Sequence, residues 1–386
     1  VFGSCGHAAP VFGDCHAGSA KVAGNDQGFA DAFPSDGWRA IVGASQRSEA
    51  APMHVISTSD LMAPDWNFLA DLNPDPALTF QSFSSLQPAG FASLVPHPVA
   101  ARLQAAARAC RAARRRPDAI LFTHLPMMAA VTNLARRVMA PAVPQIAFNF
   151  TTLRDDTRAR FFARAFRGIT EFVVYSSFER KLYAEAFGID PERLVYLPRT
   201  METPVPGPEN PMAGKGAYVC AVGGEARDYA TFAAAMRARP GLPAAVVARD
   251  YSLAGIDMPP NVTVFTNLAA ARTWAILAGA EAMVLPLRDG QAACGHITPV
   301  AAKLLGIPVI ATDSVGIRDY TDGGRVAAVV PPGSAEAIAD ALDRLLGDSA
   351  LRQQARAGMA LARQEHDPRL WLDYVHEKAA LLGPVG

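Results

Sequence analysis

The sequence predicts an α/β protein made of two doubly wound domains in tandem. Three observations predict it. A strand–helix alternation begins at Met53 and runs to Pro198, a polar run with four prolines (Glu202 to Pro211) interrupts it, and the alternation restarts at Ala217. Strands alternating with helices imply parallel sheets covered on both faces. A proline-rich polar run marks a linker. The expected boundaries are an extension over 1–52, a first domain over 53–201, a linker over 202–215, a second domain over 216–365, and a C-terminal helix over 366–386 that packs back toward the first domain.

Composition narrows the class. Of 386 residues, 50% are hydrophobic and 19% charged, enough for a large core and too apolar for wholesale disorder. Lys+Arg and Asp+Glu both number 36, and a net charge of zero argues against a dedicated nucleic-acid binder. The cysteines Cys5, Cys15, Cys110, Cys220 and Cys294 are odd in number and widely spaced, which fits a reducing cytoplasm and neither a disulfide framework nor zinc-ligand spacing. No run of 18 apolar residues is present, so no transmembrane helix is expected. Residues 1–52 are rich in Gly, Ala and Ser, contain no Met and show no clear period. They lack the basic-then-apolar order of a secretory signal. A flexible tail and an over-extended reading frame explain them equally.

In chain order, Met53–Thr58 is the first strand. A helix lies within Leu94–Arg116, basic toward its end. Pro117–His124 is a turn leading into a strand, and a helix follows through Arg137. Pro144–Phe150 is a strand and Arg154–Arg167 a basic helix carrying Phe161, Phe162 and Phe166. Glu171–Ser176 is a strand, Ser177 caps the helix Phe178–Phe187, and Leu194–Pro198 closes the half. In the second half the strands are Ala217–Val222, Ala244–Ala248, Val262–Phe265, Ala282–Pro286, Pro308–Ala311 and Val326–Val330. The helices are Asp228–Arg239, Arg272–Gly279, Val300–Leu305, Ser334–Leu346, Ala350–Arg363 and Arg369–Leu382.

The stretch from Gly295 to Tyr320 carries the chemistry. Thr298 is placed as a helix N-cap and Pro299 at the first helical position, where a missing N–H is harmless. Gly306 ends that helix and a short buried strand follows. A loop opening a helix presents free N–H groups and the positive end of a dipole, a ready anion site. The loops at Gly223, Gly295 and Thr312 all follow strands, where ligands of open α/β sheets bind.

These residues carry a resemblance. Val222-Gly223-Gly224 with Arg227-Asp228-Tyr229, Val284-Leu285-Pro286, Gly306 to Thr312, Gly316, and Asp322-Gly323-Gly324 before Val329-Val330-Pro331 resemble the donor domain of a GT-B glycosyltransferase, nearest to glycosyltransferase family 4. The resemblance covers about residues 217–365; over 53–200 it rests on strand–helix order and on Val174 to Arg180. It implies two Rossmann-like domains facing a cleft. It also implies metal-independent, retaining transfer of a sugar from a nucleotide diphosphate to an acceptor. No cofactor is implied beyond the nucleotide sugar itself. Gly223, Gly224, Arg227, Gly295, His296, Ile297 and Thr298 fall at the implied diphosphate site. The family's two glutamates, eight positions apart, fall at Ala293 and Ala301. The second of them holds the ribose, and losing such a charged contact is worth about 1.5–3 kcal/mol. Asp289 and Gln291 share the loop with the first.

Other candidates are weighed from their positions. His124 ends a strand and is read, with Asp289, as catalytic; its alternative is a histidine packed under a loop. Asp65 and Trp66 follow the first strand and are read as acceptor-side, the indole being equally suited to packing. Asp319 and Tyr320 line the cleft or make a turn. Arg227 is a phosphate ligand or a solvated helix-start charge. The face over Arg154–Arg167 is a candidate for peripheral contact with anionic lipid, which suits a glycan or lipid-linked acceptor; the alternative is a solvated face with phenylalanines in the core. Three functions follow: an active glycosyltransferase, a catalytically degenerate GT-B partner or scaffold subunit, and a sugar-nucleotide epimerase of the same two-domain fold.

Overall fold

The computed structural model describes residues 53–60, 68–86, 98–116, 118–148, 156–288, 295–324 and 326–382. Residues 1–52, Asp65, Trp66, Arg154, Asp289, Gln291 and Ala293 lie outside the described residues.

The first sheet contains β1 (Met53–Ser59), β2 (Leu78–Ser84), β3 (Ala119–His124), β4 (Gln145–Phe148), β5 (Glu171–Val174) and β6 (Leu194–Tyr196) in the order β2-β1-β3-β4-β5-β6. Every pairing is parallel. All six residues of β3 are buried, as expected for an apolar strand with helices on both faces. The edge strand β2 was not anticipated; only Leu78 of it is buried, so its sequence carries neither a continuous apolar run nor a strict alternation.

The second sheet contains β7 (Val219–Val222), β8 (Ala244–Ala248), β9 (Val262–Thr266), β10 (Ala282–Leu285), β11 (Val309–Thr312) and β12 (Ala328–Val330) in the order β12-β11-β10-β7-β8-β9. It too is parallel throughout. This is the doubly wound order, with its reversal between β7 and β10. In the first sheet the reversal falls between β1 and β3. Loops leaving those strands diverge to opposite faces and open a crevice at their carboxyl ends.

The helix Arg369–Leu382 lies against the first sheet. Trp371, Leu372, Tyr374, Val375 and Ala379 share a core with Val55, Phe122, Phe148 and Tyr175. The Trp371 ring meets Phe148 edge-on at 5.0 Å, a contact worth about 0.5–1.5 kcal/mol beyond its buried area. Lys378 Nζ and Tyr374 Oη donate to the two oxygens of Glu171 at 2.9 and 2.8 Å.

One of the contacts joining the two halves is a small helix, Arg318–Thr321, where the sequence suggested only a loop. The Asp319 carboxylate accepts from the N–H of Ser177 at 2.8 Å and from its hydroxyl at 2.9 Å, and so sits at the N-terminus of the helix Ser177–Phe187. A carboxylate is favoured there by the free amides and the dipole. The N-cap of that helix is Ser176, not Ser177 as expected. Ser176 is the residue with extended backbone, and its hydroxyl accepts from Glu179 N–H. Tyr320 Oη donates to the Tyr175 carbonyl at 2.7 Å and accepts from the Arg199 N–H at 2.8 Å.

Candidate functional site

The site forms where the loops after β7 and β10 meet the helix Ile297–Leu304, at the reversal point of the second sheet. Arg227 knits these pieces together. It pairs with Leu287 in an antiparallel bridge, and its carbonyl accepts from Arg288 Nε at 2.9 Å. The guanidinium turns inward and is 3% exposed as a residue. Nε donates to the Val222 carbonyl at 3.2 Å, Nη1 to the Glu225 carbonyl at 3.0 Å and Nη2 to Thr298 Oγ1 at 3.0 Å.

Two glycines make room for this group. Gly223 has φ +127° and Gly295 φ +98°, both in the region open to glycine. A Cβ on Gly223 would lie 2.6 Å from Arg227 Nη2, and one on Gly295 3.0 Å from Nη1. Gly224 runs against Arg249, whose Cγ a Cβ would meet at 2.8 Å.

The helix begins two residues earlier than expected. Its cap position is His296 with no side-chain cap bond, and Ile297 is its first residue. Thr298 is therefore not the N-cap: it lies inside the first turn, and its hydroxyl accepts from Arg227. Gly306 takes φ +73° just after the helix, in keeping with its expected role as terminator. The helix start thus carries free amides, a positive dipole end and a guanidinium beneath it, which is the electrostatics of an anion site.

Both histidines of interest are buried and neutral. His296 donates Nε2–H to the Gly316 carbonyl at 2.9 Å. Burial, with the charges of Arg199 and Arg227 against only the Gly316 bond in its favour, lowers its pKa to about 4. Its ring is thereby committed to backbone, leaving its main chain at the helix start. His124 closes β3, with Nδ1 3.1 Å from Ser59 Oγ across the reversal point of the first sheet. Burial and then the Arg199 charge hold its pKa well below the usual value.

Beneath the site, Lys303 is fully buried, donates to the Tyr320 carbonyl at 2.6 Å and faces that ring at 6.0 Å. Ala301 is fully buried among Val300, Ile317 and Tyr320 in the core of the second half. Glu179, to which the sequence reading gave no separate role, is also fully buried. It accepts from Tyr175 N–H at 2.9 Å, Tyr183 Oη at 2.7 Å and Ser176 Oγ at 3.3 Å. Desolvation outweighs these bonds and raises its pKa to about 7. The signal available for it was its place three residues after a serine N-cap, the capping-box position.

On the helix Asp156–Ala165, Phe162 is core, as is Phe166 just beyond its end, while Phe161 is exposed together with Arg160 and Arg164. Among the described residues no group of three or more His, Cys, Asp or Glu is placed to hold a metal ion. Among them, too, no helix is long and apolar enough to cross a membrane.

Comparison with known proteins agrees with this fold. Residues 240–348 match the family model for glycosyl transferases group 1. No curated protein matches the chain in sequence. Among solved structures, Anabaena HepE in complex with UDP superposes with a TM-score of 0.61 at 14% identity, covering 84% of this chain and 99% of that one. The sucrose-phosphate synthase of Thermosynechococcus elongatus gives 0.64 at 14% identity, covering 86% and 99%. A UDP-forming trehalose-phosphate synthase from Burkholderia vietnamiensis gives 0.60 at 14% identity, covering 85% and 96%. The fold is GT-B: two parallel six-stranded sheets with helices, matched over most of the chain.

Proposed function

We propose that the chain is a retaining glycosyltransferase, moving a hexose from a nucleotide diphosphate sugar to a glycan or lipid-linked acceptor. The observation that carries this reading is the anion cradle at the reversal point of the second sheet, with Arg227 inside it and the helix Ile297–Leu304 opening onto it. The group 1 family match over 240–348 and the UDP bound in Anabaena HepE support a nucleotide diphosphate as the anion.

In the proposed reaction the bond from the sugar C1 to the β-phosphate oxygen breaks as a bond to the acceptor oxygen forms, and the acceptor's hydroxyl proton passes to the departing diphosphate. Negative charge builds on the departing diphosphate. Donors fixed before the reaction stabilise that charge without reorganising, which lowers the barrier. The main-chain N–H groups at Ile297 and Thr298 supply such donors, and Gly223, Gly224 and Gly295 let backbone approach. Arg227 acts here mainly by holding the two loops and placing positive charge below the phosphates. His124, neutral and at the end of β3, is assigned to the acceptor hydroxyl; Asp289, Asp65 and Trp66 remain candidates for catalysis and acceptor binding. The exposed Phe161 beside Arg160 and Arg164 supports peripheral contact with anionic lipid from the cytoplasmic side.

The test is calorimetric titration with UDP, GDP and ADP, followed by transfer assays over a panel of sugar nucleotides, with NMR of the anomeric proton in the product. Binding of one nucleotide and a product of retained configuration are expected. Absence of binding to all three contradicts the proposal. A second reading, a degenerate partner subunit, is favoured by Ala301, which leaves no carboxylate at the implied ribose position. Nucleotide binding with neither hydrolysis nor transfer across the whole panel would establish that reading instead.

A further inference from the structure

We propose that Arg199 is a second phosphate-binding group of the cleft, acting from the first half of the molecule opposite the helix Ile297–Leu304. The inference rests on the donor-site reading above for where the cleft lies, and on Arg199 itself for the rest. Arg199 follows β6, where the chain leaves the first sheet. Its main chain is pinned on both sides. The N–H donates to Tyr320 Oη at 2.8 Å, and the carbonyl accepts from His366 Nδ1 at 2.9 Å. Its guanidinium lies over two rings, Tyr175 at 5.4 Å and Trp371 at 5.3 Å, which are themselves stacked with centroids 5.5 Å apart and planes within 2°. The other neighbour of Tyr175 is His296, the cap residue of the phosphate-site helix, with ring centroids 6.5 Å apart. The arrangement carries the cation on two stacked rings, one of which also meets the cap residue of the helix Ile297–Leu304.

That cation lacks the partners such a group normally has. Among the described residues its single side-chain hydrogen bond is a long one, Nη1 to Tyr175 Oη at 3.5 Å, and its Nε is buried with no acceptor. No carboxylate pairs with it among the described residues, whereas Arg102 has Asp60 at 2.9 Å and Arg318 has Asp313 at 3.1 Å. A guanidinium carries five N–H donors in a fork that matches a phosphate or carboxylate edge. Leaving such a group half-buried and unpaired is unfavourable unless an anion arrives. Among the described residues, the rings of Tyr175 and Trp371 lie under the guanidinium and its charge reaches His124 and His296. Its positive charge is one cause that keeps both His124 and His296 uncharged. Nothing anionic in that set satisfies it, so the ligand must.

The anion has two possible sources: the diphosphate of the donor, or a phosphate carried by the acceptor. The experiment separates them. The full-length chain and its Arg199→Gln and Arg199→Lys variants are titrated calorimetrically with UDP and with glucose 6-phosphate. Gln keeps a stem and a flat amide on the aromatic rings while removing the charge, and thermal unfolding checks that the fold survives. Arg199→Gln is expected to weaken one probe by about tenfold to a hundredfold, as for a lost charge-assisted hydrogen bond, with partial recovery in Arg199→Lys. Loss on UDP assigns the donor, and loss on glucose 6-phosphate the acceptor. If Arg199→Gln does not fold, Arg199→Lys carries the test, since losing the fork alone should weaken the same probe severalfold. Wild-type protein that binds UDP while the variants bind both probes within twofold of it overturns the inference and leaves the function standing. Arg199-dependent binding of glucose 6-phosphate without UDP binding supports the inference and contradicts the donor site. Binding of neither probe by the wild type overturns both.

Discussion

Gly223→Ala is expected to destabilise the protein by about 2–5 kcal/mol and to abolish nucleotide binding. Two effects add. The residue sits at φ +127°, where an L side chain is strained by about 1–3 kcal/mol. The new Cβ also falls 2.6 Å from Nη2, 2.8 Å from Nε and 2.9 Å from Cζ of Arg227. A flexible arginine could step aside, but this one is buried and bonded to Val222, Glu225 and Thr298. Moving it strands those acceptors, each worth about 1–3 kcal/mol if left unpaired. Arg227→Ala should be destabilising for the same reason, and the two substitutions should combine less than additively, since the clash disappears with the guanidinium. Urea unfolding of the two single variants and the double variant measures the coupling, and UDP calorimetry measures the site. Simple additivity would show that Gly223 does not act through Arg227.

Glu179→Gln and His296→Gln are expected to tilt the pH dependence of stability in opposite directions. The folded pKa of Glu179 is raised from 4.5 to about 7, so its contribution is fully present below pH 4.5 and is lost as pH rises through 7. That loss is about 3 kcal/mol, from a shift of a little over two pH units. The folded pKa of His296 is lowered from 6.5 to about 4. Its contribution is present above pH 6.5 and is lost as pH falls through 4, again by about 3 kcal/mol. The two windows overlap, so in the native chain they largely offset. Unfolding free energies between pH 4 and 7.5 should therefore show Glu179→Gln gaining on the wild type as pH rises and His296→Gln falling behind it. His124, whose pKa is also lowered, adds to the His296 direction and should remain in both variants. Parallel pH profiles for all three proteins would contradict the burial of these groups.

Much of the fold was legible because buried parallel strands are short and apolar, and because the helices between them carry clear ends. Asp228 and Ser334, read as the first residues of their helices, prove to be the N-caps one position before them, and Gly306 terminates a helix as expected. What was not legible depends on long-range contacts. The strand Leu78–Ser84 lies at a sheet edge with mixed burial, so no pattern marked it. The cap of the helix Ile297–Leu304 was misplaced because Thr298, a good cap by type, has its hydroxyl taken by an arginine 71 residues earlier in the chain. The sequence suggested a phosphate ligand at Arg227; the structure shows its guanidinium folded inward onto carbonyls. Arg199 gave no signal, because what distinguishes it is a pair of stacked rings brought in from Tyr175 and Trp371, residues 196 positions apart. The small helix that joins the halves is only four residues long and takes its meaning from Asp319 reaching Ser177.

The central claim is that a nucleotide diphosphate lies at the start of the helix Ile297–Leu304. Its most direct test is a crystal structure of the protein grown with UDP at a concentration well above the calorimetric Kd. The expected result is a diphosphate hydrogen-bonded to the main-chain N–H groups at Ile297 and Thr298, with the Gly223–Gly224 backbone against it and Arg227 in its present inward position. A diphosphate bound elsewhere on the molecule, with that helix start left empty, would contradict it.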